Sequence, residues 1–170
     1  MKFSLVRIIL AIPVFFSISL FSQQLSIEDI INMRKMPLEQ IDSLVKARDF
    51  VKTKSDLDTT SSIVKYASLF RADTALIQRT LTVGVNANKN IELQYAVYQQ
   101  KDALAMFEWL EKNGFKKTVT VMPNKDGKKM FEYTSFKKKK QSVGYEEIEY
   151  NSVDKKEKVF IFSVNTFDFP

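Results

Sequence analysis

The sequence predicts an α+β fold: a duplicated helix plus four-stranded antiparallel unit, with the helices packed on one face of the sheets. Three observations predict it. The apolar period is 3.6 residues up to Arg48 and 2 from there to Val97, and the same change recurs across Gly114. Helices and strands come in runs rather than alternating singly, which favours antiparallel sheets over parallel α/β units. A shift of 65 residues lays Phe50, Val51, Lys52 and Thr53 on Phe115, Lys116, Lys117 and Thr118, Val83 and Val85 on Ile148 and Tyr150, and Tyr95 and Val97 on Phe160 and Phe162. The chain therefore divides into residues 1–22, a first repeat over 23–100 and a second over 101–170, the two repeats making one compact unit.

Residues 1–22 read as a secretory signal. Lys2 and Arg7 lead into an apolar run that ends at the small Ser22, the order of charge, apolar core and small residue that export requires. Pro13 interrupts the run, which is shorter than the roughly 20 residues a bilayer-spanning helix needs, and no basic cluster follows it. Cleavage near Ser22 should leave a product starting near Gln23, without a transmembrane anchor, in the periplasm or outside the cell. No Cys stands at the cleavage point to carry a lipid. The signal's ending resembles those of exported proteins of Gram-negative bacteria.

Ser26 and Asp29 form a capping box, with Leu25 able to staple to Ile30, so a first helix is expected over 27–33. Pro37 opens a second, over 38–48, whose Leu38, Ile41, Leu44 and Val45 share a stripe. Four strands follow: weak candidates at 50–53 and 63–70, then clear alternation over 77–85 and 91–98 around an Asn-rich loop. Asp102 reads as the cap of a helix over 103–113 with Ala103, Met106, Phe107 and Leu110 on one face and Gly114 as its stop. Trp109 falls at the edge of that stripe and reads as core edge. Strands are then expected over 115–122, 129–136, 142–150 and 159–164, with Asp126-Gly127 as a hairpin turn.

This plan resembles beta-lactamase inhibitory protein and related small secreted domains. There, helix-loop-helix plus four antiparallel strands occurs twice, and the sheets form a concave protein-binding face. The resemblance is in the order of elements only. Those relatives typically hold each repeat with a disulfide, and this chain has no Cys, so what the resemblance implies is limited to the architecture and the habit of binding proteins on a sheet face.

Composition removes whole classes of chemistry. With no His and no Cys, nucleophilic triads, thiolate or imidazole zinc sites and disulfides are excluded. The four Gly stand singly, so no glycine-rich loop exists to cradle a phosphate. Neither cofactor nor metal is expected.

Several motifs read better as structure than as chemistry. Four Ser-x-x-Lys matches, beginning at Ser43, Ser62, Ser135 and Ser152, lack the Ser-Asp-Asn and Lys-Thr-Gly companions of penicillin-binding enzymes. Asp56, Asp58 and Thr60 resemble the nucleophile motif of haloacid dehalogenase-like phosphatases, but a polar stretch precedes them, and a solvated loop is expected. Glu147 and Glu149 share one strand face beside Glu146, which aims them in parallel rather than across a scissile bond.

Charge carries the clearest functional signal. Residues 115–140 hold nine Lys against Asp126 and Glu132, a net +7, whereas the rest of the processed chain sums to −3. Lys128, Lys129, Lys137, Lys138, Lys139 and Lys140 are therefore candidate contacts to an anionic envelope component or an acidic protein; the bland alternative is a solvated hairpin whose Lys guard an edge. Nucleic acid is not an expected partner of an exported chain without an RNP-like pattern. If Phe160, Phe162 and Val164 face the core, Val143, Tyr145, Val159 and Ile161 should form an apolar cluster on the opposite face. The function expected is a non-catalytic exported binding protein that recognises a protein or anionic envelope component through a sheet face or the Lys-rich hairpin. The alternative is a small carboxylate-dependent hydrolase of the bacterial envelope.

Overall fold

The Ser26 hydroxyl accepts from the Asp29 N–H at 3.0 Å while the Asp29 carboxylate accepts from the Ser26 N–H at 2.9 Å. Two donors at the helix start are thereby bonded, and α1 runs over Ile27–Met33. The computed structural model describes residues 24–57, 61–72, 75–123, 130–151 and 156–165. The signal segment 1–22, the Asp126-Gly127 turn, Lys128, Lys129 and the Ser-x-x-Lys match at Ser152 lie outside them.

Pro37 stands just ahead of α2, Leu38–Lys46. The helix closes two residues before the expected Arg48, because Asp49 takes φ 59° and the Phe50 N–H turns back to the Val45 carbonyl at 3.0 Å. An equivalent corner follows α3, Gln100–Lys112, where Gly114 takes φ 78° and the Phe115 N–H reaches the Leu110 carbonyl at 3.0 Å. A left-handed residue at this point satisfies carbonyls that the helix leaves open, and it drops Phe50 and Phe115 into the core.

The strands are β1 Val51–Leu57, β2 Ser62–Ala72, β3 Ala75–Val85, β4 Ile91–Val97, β5 Lys116–Pro123, β6 Met130–Lys138, β7 Gln141–Asn151 and β8 Lys156–Asn165. They form one sheet in the order β1-β2-β3-β4-β8-β7-β6-β5, antiparallel at each pairing. β1 runs on to Leu57, so Asp56 sits in a strand rather than in the expected solvated loop.

The fold class inferred from sequence is corrected here. There are not two four-stranded units with duplicated helices; among the described residues, one eight-stranded antiparallel sheet carries three short helices, two ahead of β1 and one ahead of β5. β4 and β8 pair from Glu92 with Asn165 to Val97 with Phe160, which joins the edges that two separate sheets would expose. The 65-residue offset also fails in β7. Val83 lies on the core face, whereas its counterpart Ile148 faces away from the core, because β7 is one residue out of step and a one-residue slip reverses every side chain.

Pairing places Val64 with Val83, Leu81 with Tyr95, Tyr95 with Phe162 and Phe162 with Tyr145 on a single face. The helices cover that face: Ile30, Ile41, Val45, Met106 and Leu110 join the same buried cluster. Phe107 of α3 stands over its centre, 5.5 Å from the Phe136 ring, 4.7 Å from Tyr145 and 5.4 Å from Phe162. Trp109 is half-buried at the margin, 6.3 Å from the Phe115 ring.

Asp102 departs from its expected role. α3 starts earlier, after Gln99, so Asp102 lies within the first turn rather than at the cap. Its Oδ2 accepts from Arg79 Nη2 at 2.9 Å and Nε at 3.3 Å, with both side chains less than a tenth exposed. This buried pair ties α3 to β3.

Asp42 does the corresponding work for α2. It takes Lys46 Nζ at 2.7 Å, Lys52 Nζ at 3.1 Å and the Tyr66 hydroxyl at 3.2 Å. The Lys46 ammonium first, then Lys52, holds the Asp42 carboxyl down at about 2 from its ordinary 3.8. A depressed folded value stabilises above the unfolded one, and the contribution is lost as pH falls through about 2. The stability difference between the protein and Asp42→Asn is therefore expected to be constant above about pH 5 and to shrink steadily on acidification. Urea unfolding across this range checks it; a difference that grows on acidification would refute the assignment.

Candidate interaction face

The alternation that sends one set of side chains into the core leaves the other on a sheet face that no described helix covers. Pairing across the centre of this open face sets Thr80 beside Ala96, Ala96 beside Ile161, Ile161 beside Glu146, and Ile148 beside Val159. Ile148 is 38% exposed and Tyr150 36%, while Val159 and Ile161 are half-buried among their neighbours. Tyr98 meets Tyr150 edge to face at 6.5 Å. The Tyr150 hydroxyl donates to Glu157 at 2.6 Å, and that carboxylate pushes the phenol up to about 12. Tyr150 therefore stays a neutral, oriented ring at neutral pH.

Towards β6, small residues make room for another ring. Ser135 pairs with Gly144, and the hydroxyl end of Tyr133 occupies the place a Cβ on Gly144 would need. A mid-strand glycine marks a close approach of this kind. Burial first, then the Glu146 charge, raises the Tyr133 phenol. The strip is thus aromatic and aliphatic, with Glu146 beside Ile161, and is floored by Thr, Ala, Ser and Gly.

The residues expected on this face divide. Val159 and Ile161 are on it. Val143 and Tyr145 are not: Val143 pairs with Val164 and Tyr145 with Phe162, so both face the helices, Val143 fully buried. The cause is again the step in β7, which sequence alternation within one strand does not reveal. The Tyr145 hydroxyl donates to Glu147 at 3.1 Å, and burial first, then this carboxylate, raises its phenol.

The lysines also divide. Lys137 pairs with Lys116 on one side and Ser142 on the other, on the open face. Lys138 points to the helix side, its Nζ 5.8 Å from the Phe115 ring centre. Lys139 and Lys140 form the turn into β7, Lys139 at φ 52°. All are exposed, and no salt bridge to a described residue engages Lys116, Lys117, Lys137, Lys138, Lys139 or Lys140.

The carboxylate candidates are already occupied. Lys158 Nζ lies 2.6 Å from Glu147 and 3.6 Å from Glu149. The Lys158 hydrogen bond lowers the Glu147 pKa, the opposite of what a general acid needs. Ser43, first of the Ser-x-x-Lys matches, donates to the Glu39 carbonyl at 2.9 Å while Lys46 bridges to Asp42. Asp56 pairs with Lys54 at 2.7 Å; Asp58 and Thr60 lie outside the described residues. Among the described residues, no three acidic side chains come together as a metal site. A cleft of 190 Å³ between Ser62, Gly84, Asn90 and Glu92 is smaller than the roughly 300–1,000 Å³ of small-molecule sites.

Comparison with protein-family models, curated proteins and solved structures finds no match to this chain. No helix among the described residues is long and apolar enough to cross a membrane.

Proposed function

We propose that the protein is a non-catalytic exported binding protein that holds a partner protein on the open face of its sheet, the lysine margin of β5, β6 and the β6–β7 turn adding an electrostatic contact. The observation that carries this is the strip of Tyr98, Ile148, Tyr150, Val159 and Ile161 on a face uncovered by any described helix. Apolar and aromatic groups gathered on one sheet face are what a partner surface uses. Export rests on the charge and apolar order of residues 2–22. The resemblance to beta-lactamase inhibitory protein points the same way, since there too a sheet face receives a protein. The hydrolase reading is weaker because Lys158 neutralises the two carboxylates it would need.

A tagged protein starting at Gln23 is used to capture partners from envelope extract, beside Ile148→Glu with Ile161→Glu, and beside a form with Lys137, Lys138, Lys139 and Lys140 all replaced by Ser. The first variant is expected to lose the captured protein at least tenfold. The second keeps its fold, since exposed charges contribute about 0–1 kcal/mol even when paired, but its capture loses salt dependence as the Debye length shrinks from about 10 Å at 0.1 M to about 3 Å at 1 M. Equal capture by the open-face variant overturns the reading. Retention on anionic vesicles that only the Lys variant loses would assign the function to the lysines alone.

A further inference from the structure

The sheet has two outer strands, and they are built differently. β1 is blunted: its register shifts between Lys52 and Lys54, and its lysines are engaged, Lys52 by Asp42 and Lys54 by Asp56. A bulge and charged side chains along the strand are how an edge is kept from pairing. β5 has no bulge and carries guarding residues only at its ends, Lys116 and Lys117 at its start and Pro123 at its close. It pairs with β6 without interruption from Lys116 with Lys137 to Pro123 with Met130, and no described strand pairs with its outer edge. Its middle, Thr118-Val119-Thr120-Val121, is uncharged and β-branched, and Val119 and Val121 are 50% and 51% exposed on the helix side, where no described helix reaches them.

We infer that β5 is a strand-addition site for an extended acidic segment of a partner protein. This rests on the reading of the chain as a binding protein but not on its open face. Alternate N–H and C=O groups of an edge strand are free to bond an added strand, and the side chains beside them select which strand is added. Val119 and Val121 select apolar side chains at alternate positions. Lys116 and Lys117 at the start of β5, with Lys137 beside Lys116, select carboxylates at the end of the segment lying there. The lysines thus act as selectors at one end while the uncharged middle stays open to pairing. Protection by charge alone would place Lys within the middle.

The probe is the capped peptide acetyl-Glu-Glu-Val-Thr-Val-Thr-Glu-Glu-amide, whose charges suit either strand direction. Its control is the same peptide N-methylated at the four central amides, which keeps side chains and charge but removes the donors. Anisotropy of the labelled peptides measures binding to the chain from Gln23. NMR solvent exchange follows the amides of residues 116–123. Binding is expected to protect those amides, to weaken at least tenfold in Lys116→Glu with Lys117→Glu, to vanish for the methylated peptide, and to be unchanged in Ile148→Glu with Ile161→Glu. Circular dichroism verifies that each variant is folded. Equal binding of the methylated peptide would reduce the site to charge attraction and overturn strand addition. So would unprotected β5 amides at millimolar peptide, or β5 amides already protected in a dimer seen by sedimentation. Because the open-face pair tests the proposed function separately, either idea can fail while the other stands.

Discussion

Replacing Asp102 by Ala is expected to lower stability by about 3–5 kcal/mol, the cost of leaving a buried charge without its partner. Arg79 keeps its guanidinium in the interior, donating through both Nη2 and Nε to a single carboxylate oxygen. The pair joins the first turn of α3 to β3, so its loss also frees the helix start from the sheet. Changing both partners together, Arg79→Met with Asp102→Leu, should recover most of the loss, because a well-packed apolar pair replaces buried ions at little cost. Urea unfolding of the single and double variants measures both. A loss below about 1 kcal/mol for Asp102→Ala would mean that water reaches Arg79 and that the pair behaves as a surface bridge.

Phe162→Ala is expected to cost about 3–5 kcal/mol as a large-to-small core change. Phe162 is fully buried on β8, with the Phe107 and Tyr145 rings each 5.4 Å away. A cavity there is walled by rings from α3 and β7, and the sheet behind them cannot collapse inward to fill it. Ile148→Ala, on the opposite face and 38% exposed, should stay within about 0.5 kcal/mol of the parent. Thermal and urea unfolding of the two variants tests the assignment of faces directly; similar losses in both would show that the open face is covered.

The local elements were legible because their causes are local. A capping box four residues long, a left-handed Gly114 after a helical stripe and period-2 alternation in 91–97 each depend on neighbours in the chain. Of the candidate face, Val159 and Ile161 could be read, since alternation from Phe160 and Phe162 within one strand decides their side. Gly144 in mid-strand held a signal for Tyr133, and Tyr98 follows Val97 in the same alternation.

What the sequence by itself determined, then, is where the chain turns, which stretches extend and which residues of a strand share a side. Only the tertiary structure decided that β4 meets β8 to make one sheet, that β7 is a residue out of step so that Val143 and Tyr145 face the core, and that Asp102 meets Arg79 across 23 positions. The same holds for the contrast between a bulged β1 and an open β5. The physical reason is common to all four. Capping and alternation are set within a few residues, but strand register and buried charge pairing are chosen by the global packing of one apolar face, and that choice shifts side chains by whole faces without altering any local pattern.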